Sequence, residues 1–260
     1  MSSGEVKHFY DDFMRSRMLN YRVHGNLRLE KAIARILPEI QPHHRILDIG
    51  CGIGIVSERI AAAASKGRVW GIDLSERNIW YAKQTVARKN LSLFVADVIE
   101  DFATITQHLQ LPVDVVSMVD VIEHIPQQKR RTLFSQLRQI SNDNALLILT
   151  YPSPQYQRYL AEHDPGALQI IDNVIELHDL IEEASSAGYS IRHYSLETVW
   201  HKNEYVHCVL QTDDAISPRE VDERNWWGKI TRRVSADLNR LIYVPWRRKK
   251  YITRVFGKED

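Results

Sequence analysis

The chain has 260 residues, of which 44% are hydrophobic and 26% charged, and its formal net charge is +1. That length suits one α/β domain with appendages, and the near-zero charge excludes a protein that holds polyanions through bulk charge. No apolar run reaches the roughly 18 residues of a membrane span, and two separated cysteines, Cys51 and Cys208, make no disulfide framework.

Residues 1–42 read as a helical cap. His8, Phe9, Phe13, Met14, Met18, Leu19 and Tyr21 recur at roughly helical spacing. A second run, with Leu27, Leu29, Ala32, Ile33, Ile36 and Leu37, stops at Pro38. Met1 to Asp12 are polar and mixed in charge, unlike a signal peptide, so a cytoplasmic location is expected.

Residues 43–212 alternate strand and helix patterns, which argues for a parallel sheet. The first strand runs from Arg45 through the apolar Ile46, Leu47 and Ile49 into Gly50, Gly52 and Gly54, and Ile55 to Ser65 then look helical. Arg68–Asp73 reads as the second strand, Glu76–Asn90 as a helix and Leu91–Asp97 as the third strand. Val113–Val121 and Ala145–Tyr151 read as the fourth and fifth, with a helix Gln127–Ile140 between them. The prolines and glycine of the stretch after Tyr151 prevent one long helix there. A helix from about Val174 to Ala187 then ends at Gly188, and Tyr189–Val199 with Tyr205–Gln211 look like a closing antiparallel pair.

Glycines at a strand-to-helix turn let the backbone bend tightly and approach a ligand with no Cβ in the way. The helix that follows offers unpaired N–H groups and a positive dipole end. A dinucleotide fingerprint needs G-x-G-x-x-G, and its third glycine would fall at Ile55 or Ser57. The sequence instead reads Asp48-x-Gly50-x-Gly52-x-Gly54. A carboxylate before the glycines repels a pyrophosphate and suits a cationic amino-acid group. Asp73 and Asp97 end the next two strands, where ligands of open α/β sheets sit.

The Asp48–Gly54 pattern resembles the first motif of the class I S-adenosylmethionine (SAM)-dependent methyltransferases, D/E-x-G-x-G-x-G. The resemblance implies a seven-stranded Rossmann-like α/β sheet of order 3-2-1-4-5-7-6 and an enzyme that uses SAM. It implies that Gly50, Cys51, Gly52 and Gly54 line the methionine end and that Asp48 organises the ammonium group. Asp73 would take the ribose hydroxyls and Asp97 the adenine amino group, with Leu74, Val98 and Val119 against the cofactor.

Val121-Ile122-Glu123-His124-Ile125 resembles the V-x-E-H-x signature of small-molecule O-methyltransferases, including those of ubiquinone biosynthesis. His124 is the candidate base, since an imidazole titrates near neutrality, with Glu123 beside it. A sharper resemblance, to small-RNA 2′-O-methyltransferases and some ubiquinone-pathway enzymes, would make Asp120, Glu123, His124 and Asp172 ligands of Mg²⁺ or Mn²⁺. This chain lacks the late histidine of that set and offers Asp172 there, or His178 within a helix. Tyr10, Tyr21, Tyr151, Arg158 and His163 are expected to line the acceptor pocket, with His24, Asn26 and Arg28 further candidates.

The extension 213–260 is basic and amphipathic. Trp226, Trp227, Ile230, Val234, Leu238 and Leu241 share a helical face, and Trp246 to Tyr251 add a cationic run. It suits an anionic membrane surface, with docking on the core, a protein partner or a nucleic acid as rivals. The expected activity is O-methylation of a hydroxyl on a small molecule or a sugar. A nucleic-acid 2′-O-methyltransferase using a metal and a non-catalytic SAM-binding partner protein are the alternatives.

Overall fold

The computed structural model describes residues 21, 24–168 and 171–212. Tyr10, the first helical run of the cap apart from Tyr21, and the whole of 213–260 lie outside the described residues.

Seven strands form one sheet in the order β3-β2-β1-β4-β5-β7-β6. They are β1 (Arg45–Ile49), β2 (Arg68–Asp73), β3 (Leu91–Val95), β4 (Val113–Val119), β5 (Ser141–Pro152), β6 (Ser190–Glu197) and β7 (Tyr205–Gln211). The first five run parallel, and β7 enters antiparallel between β5 and β6. The switch in strand order therefore lies between β1 and β4, where their carboxyl ends open a crevice.

Side chains of a strand alternate between faces, and the core divides accordingly. Leu47 and Ile49 join Trp70, Ile72, Met118 and Leu149 on one face. Ile46 joins Val69, Val115, Ile148 and Val209 on the other. The helices α1 (Leu27–Ile36) and α2 (Ile55–Ala63) cover the second face through Ile33, Ile36, Val56 and Ile60. On the first face lie α4 (Phe102–His108), α5 (Gln127–Ile140) and α7 (Leu177–Ser185), with α3 (Glu76–Thr85) and α6 (Pro154–His163) completing the set. Arg130 on α5 and Glu183 on α7 form a buried two-pronged ion pair at 2.8 and 2.9 Å. Among the described residues no helix is long and apolar enough to cross a membrane.

Several boundaries differ from the sequence reading. The helix expected to reach Asn90 stops at Thr85, because Asn90 is drawn away to donate to the carbonyls of Ala61 and Ala64 at the end of α2. β5 starts at Ser141, four residues early, since Ser141 pairs with Val113. The helix α4 has no counterpart in the sequence reading, since seven residues with one buried side chain, Ile105, carry little periodic signal.

Candidate functional site

The glycine loop takes the shape its residues suggest. Gly50, Gly52 and Gly54 have φ of 69°, 53° and 80°, the left-handed region that other residues avoid. Gly50 is fixed by contact as well: a Cβ there would lie 2.3 Å from Cγ2 of Val121. Gly54 sits at the N-cap of α2, so the loop leads directly into that helix's unpaired N–H groups.

Three carboxylates border the loop. Asp48 is buried in β1, and its oxygens accept hydrogen bonds from Ser57 Oγ and Ser117 Oγ (2.7 Å for the latter). Burial outweighs those bonds and pushes its pKa up to about 6. Asp73 Oδ2 accepts the Gly52 N–H at 2.8 Å, while Oδ1 accepts from Ser75 N and Asn78 Nδ2 at 2.9 and 3.0 Å. The end of β2 thereby holds the loop, while Ser75 caps α3 as its residue type suggests. Asp97 Oδ1 accepts the N–H groups of Ile99 and Glu100, fixing the turn that carries Val98.

At the end of β4, Asp120 has a φ of 55°. Its Oδ2 pairs with Arg28 Nη1 of α1 at 3.0 Å, and the same Nη1 donates to the Tyr205 hydroxyl at 3.2 Å. Asn26 starts α1 by accepting from Leu29 N, which aims the first turn of that helix at the crevice. Glu123 and His124 follow in a short 3-10 turn, Ile122–His124. His124 Nδ1 lies 2.5 Å from the Ile171 carbonyl, and Nε2 lies 3.8 Å from Glu123 Oε1. A carbonyl can only accept, so Nδ1 carries the proton and the basic lone pair is on Nε2. Burial lowers the His124 pKa and raises that of Glu123 well above the usual range, with Asp120 adding to the latter.

A cavity of about 820 Å³ joins these parts. Asp48, Gly50, Cys51, Gly52, Asp73, Leu74, Asp97, Val98, Val119, Asp120 and His124 all line it, and so does Tyr21. Glu123 does not: it is buried behind His124, so it supports the wall rather than meeting a ligand. Gly54 likewise stands behind the surface, at the helix start.

Three acceptor-pocket expectations need correction. Tyr151 points from β5 into the core, fully buried, because it shares the face of Leu147 and Leu149. Arg158 lies outside the cavity, half-exposed and paired with Glu176. His163 is at the far end of α6, stacked on Tyr159. The acceptor end is formed instead by Arg28, Tyr156, Leu160, Ile171, Trp200 and Tyr205. Trp200 is carried by the β6–β7 turn, which Glu204 holds by accepting from the N–H groups of Val199 and Trp200 and pairing with His201.

The chemistry of this cavity fits SAM. One end offers a buried carboxylate at Asp48 for an ammonium group, the middle a strand-end acid at Asp73 for hydroxyls, and the far end an apolar slot at Leu74 and Val98 for a flat base. A divalent metal does not fit. Among the described residues no group of three His, Cys, Asp or Glu is placed to hold an ion. The physical reason is that Arg28 already supplies the positive charge beside Asp120, and Asp172 accepts from Gln157 Nε2 at 2.7 Å.

Residues 21–194 match the family model described as a methyltransferase domain. Over 83 residues the chain is 39% identical to the ubiquinone biosynthesis O-methyltransferase of Aromatoleum aromaticum, covering 32% of this chain and 33% of that protein. It spans about a third of the length of such curated relatives. Among solved structures it resembles the magnesium protoporphyrin IX methyltransferase of Synechocystis PCC 6803 with bound SAH, at a TM-score of 0.59 and 18% identity over 79% of this chain and 98% of that one. An S-adenosylmethionine-dependent methyltransferase from Mesorhizobium loti is similar at a TM-score of 0.55 and 18% identity, over 70% and 96% of the two chains.

Proposed function

Because the chain belongs to the class I SAM-dependent methyltransferases, we propose that it methylates a hydroxyl group on a small molecule, with His124 as the base. The observation that carries this reading is the His124 imidazole in the cavity wall, its Nδ1 proton committed to Ile171 and its pKa lowered by burial. It is therefore neutral at pH 7 and has a lone pair to accept a proton.

When bound, SAM supplies an electrophilic methyl group on a sulfonium, and the chain's task is to place an oxygen nucleophile in line with it. The loop at Gly50 and Gly52 brings backbone close to the cofactor, and Asp48 and Asp73 fix its two polar ends. Val121, Ile125 and Ile171 make the wall apolar around the acceptor, which excludes water. His124 takes the hydroxyl proton onto Nε2 as the oxygen becomes nucleophilic. An alcohol or phenol needs that step and a neutral amine does not, so a neutral histidine favours oxygen as the atom methylated.

The relatives named for ubiquinone biosynthesis O-methylation support the same class of reaction. The nucleic-acid alternative rests on the metal spacing of Asp120, Glu123 and His124 and on the basic tail, and Arg28 occupies the cation position of that metal set. A screen of phenols, catechols, sugars and amines with methyl-labelled SAM tests the proposal. Label on oxygen of one acceptor class supports it, and label found only on nitrogen or carbon overturns it.

A further inference from the structure

The acceptor end of the cavity continues outward as a row of rings. Tyr205 and Tyr156 line the cavity with centroids 6.1 Å apart. Tyr159 follows at 6.4 Å from Tyr156, its plane inclined by only 13°, and His163 stacks on Tyr159 at 4.4 Å. Tyr156, Tyr159 and His163 stand at i, i+3 and i+7 of α6, so they share one side of the helix. From the β6–β7 turn, His201 closes the row at 5.5 Å from Tyr156 and 6.2 Å from Tyr159. Tyr159 and Trp200 are 47% and 57% exposed, so the row keeps an open side.

We infer that this row is a carbohydrate-binding track that holds the sugar units of a glycan whose terminal hydroxyl enters the cavity, an inference that rests on the methyltransferase reading above. A pyranose presents a face of C–H bonds and a rim of hydroxyls. The C–H face rests on the negative face of an aromatic ring, and the rim needs hydrogen-bonding partners at its edge. Both are present. His163 Nδ1 donates to the Tyr159 carbonyl at 3.0 Å and His201 Nδ1 pairs with Glu204 Oε2 at 3.1 Å. Each imidazole is thereby oriented, with Nε2 left as the acceptor for a ligand hydroxyl. The row also begins inside the cavity that His124 lines, so a chain lying on it ends in that cavity.

The test uses the full chain with defined hexasaccharides of glucose, mannose, galactose and N-acetylglucosamine, monitored by saturation-transfer NMR and calorimetry, with SAM binding measured in parallel. Binding of at least one hexasaccharide is expected, weakened about tenfold by Tyr159→Ala. His163→Ala should weaken it in the same direction, and the SAM affinity of both variants should match the parent. Binding of none of the four by a chain that binds SAM overturns the track and leaves the methyltransferase reading standing. Saccharide binding that both variants leave unchanged overturns it too. A parent chain that fails to bind SAM overturns the methyltransferase reading instead.

Discussion

Arg28 reaches from the first turn of α1 to Asp120 at the end of β4, and a single Nη1 holds both that carboxylate and the Tyr205 hydroxyl. Helix, parallel strand and closing hairpin meet at this one nitrogen. Arg28→Ala would leave Asp120 nearly buried without its cation, and breaking such a pair costs about 3 kcal/mol. A urea midpoint unchanged in Arg28→Ala would refute the latch. Replacing both partners by leucine should recover most of the loss.

The same pair makes a prediction about metals. With a guanidinium beside Asp120, methyl transfer should persist in EDTA and gain nothing from added Mg²⁺ or Mn²⁺. Loss of turnover on chelation, restored by either ion, would show that Arg28 gives way to a metal when the site is loaded.

Asp73 connects the cofactor to the loop that holds it. Asp73→Ala removes the acceptor of the Gly52 N–H together with the expected ribose contact, each worth about 1 kcal/mol or more. SAM binding should fall about 10- to 100-fold by calorimetry. An affinity equal to the parent's would take Asp73 out of the cofactor site.

Asp48 predicts a pH dependence. Its folded pKa of about 6 lies above the ordinary 3.8, so the folded state favours the protonated form. The stability it contributes is full below pH 3.8 and is lost as pH rises through about 6. Asp48→Asn should therefore gain thermal stability over the parent at pH 8 and not at pH 4. Cofactor binding has the opposite sense, since only the carboxylate attracts an ammonium group. SAM affinity of the parent should drop as pH falls below about 6, and a flat profile would remove Asp48 from that role.

His124→Ala should lower turnover by roughly 10²- to 10⁴-fold with little change in SAM affinity. Because burial lowers its pKa, the alkaline plateau of activity should extend below the ordinary imidazole value of 6.5. An alanine variant with parental turnover would leave the reaction without this base.

The cofactor half of the site was legible in the sequence because each piece is dictated locally. Left-handed turns ask for Gly50, Gly52 and Gly54, and acids at the ends of adjacent strands converge whatever the rest of the chain does. The acceptor half was not, since helix phase and hairpin placement are tertiary facts. On α6 the cap at Ser153 sets the phase, which puts Arg158 about 200° around the helix from Tyr156. Tyr151 fell to the core by the alternation of β5, where a shift of one residue changes the face. Trp200 and Tyr205 reach the cavity only because β7 runs back antiparallel beside β5. The sequence makes Arg28 a pocket candidate, yet nothing in its neighbourhood names Asp120, 92 positions along, as its partner.

The clearance between Gly50 and Val121 also bears on how such a site diverges or is redesigned. One methyl of the acceptor segment occupies the space where any larger residue of the donor loop would have to go. Swapping the stretch around Val121 for that of an enzyme with another acceptor is therefore a test of the loop too. A bulkier or differently branched residue at 121 should disturb SAM before it ever meets the new acceptor. Selectivity grafts in this fold are expected to succeed when position 121 is carried over unchanged and the exchange begins after it.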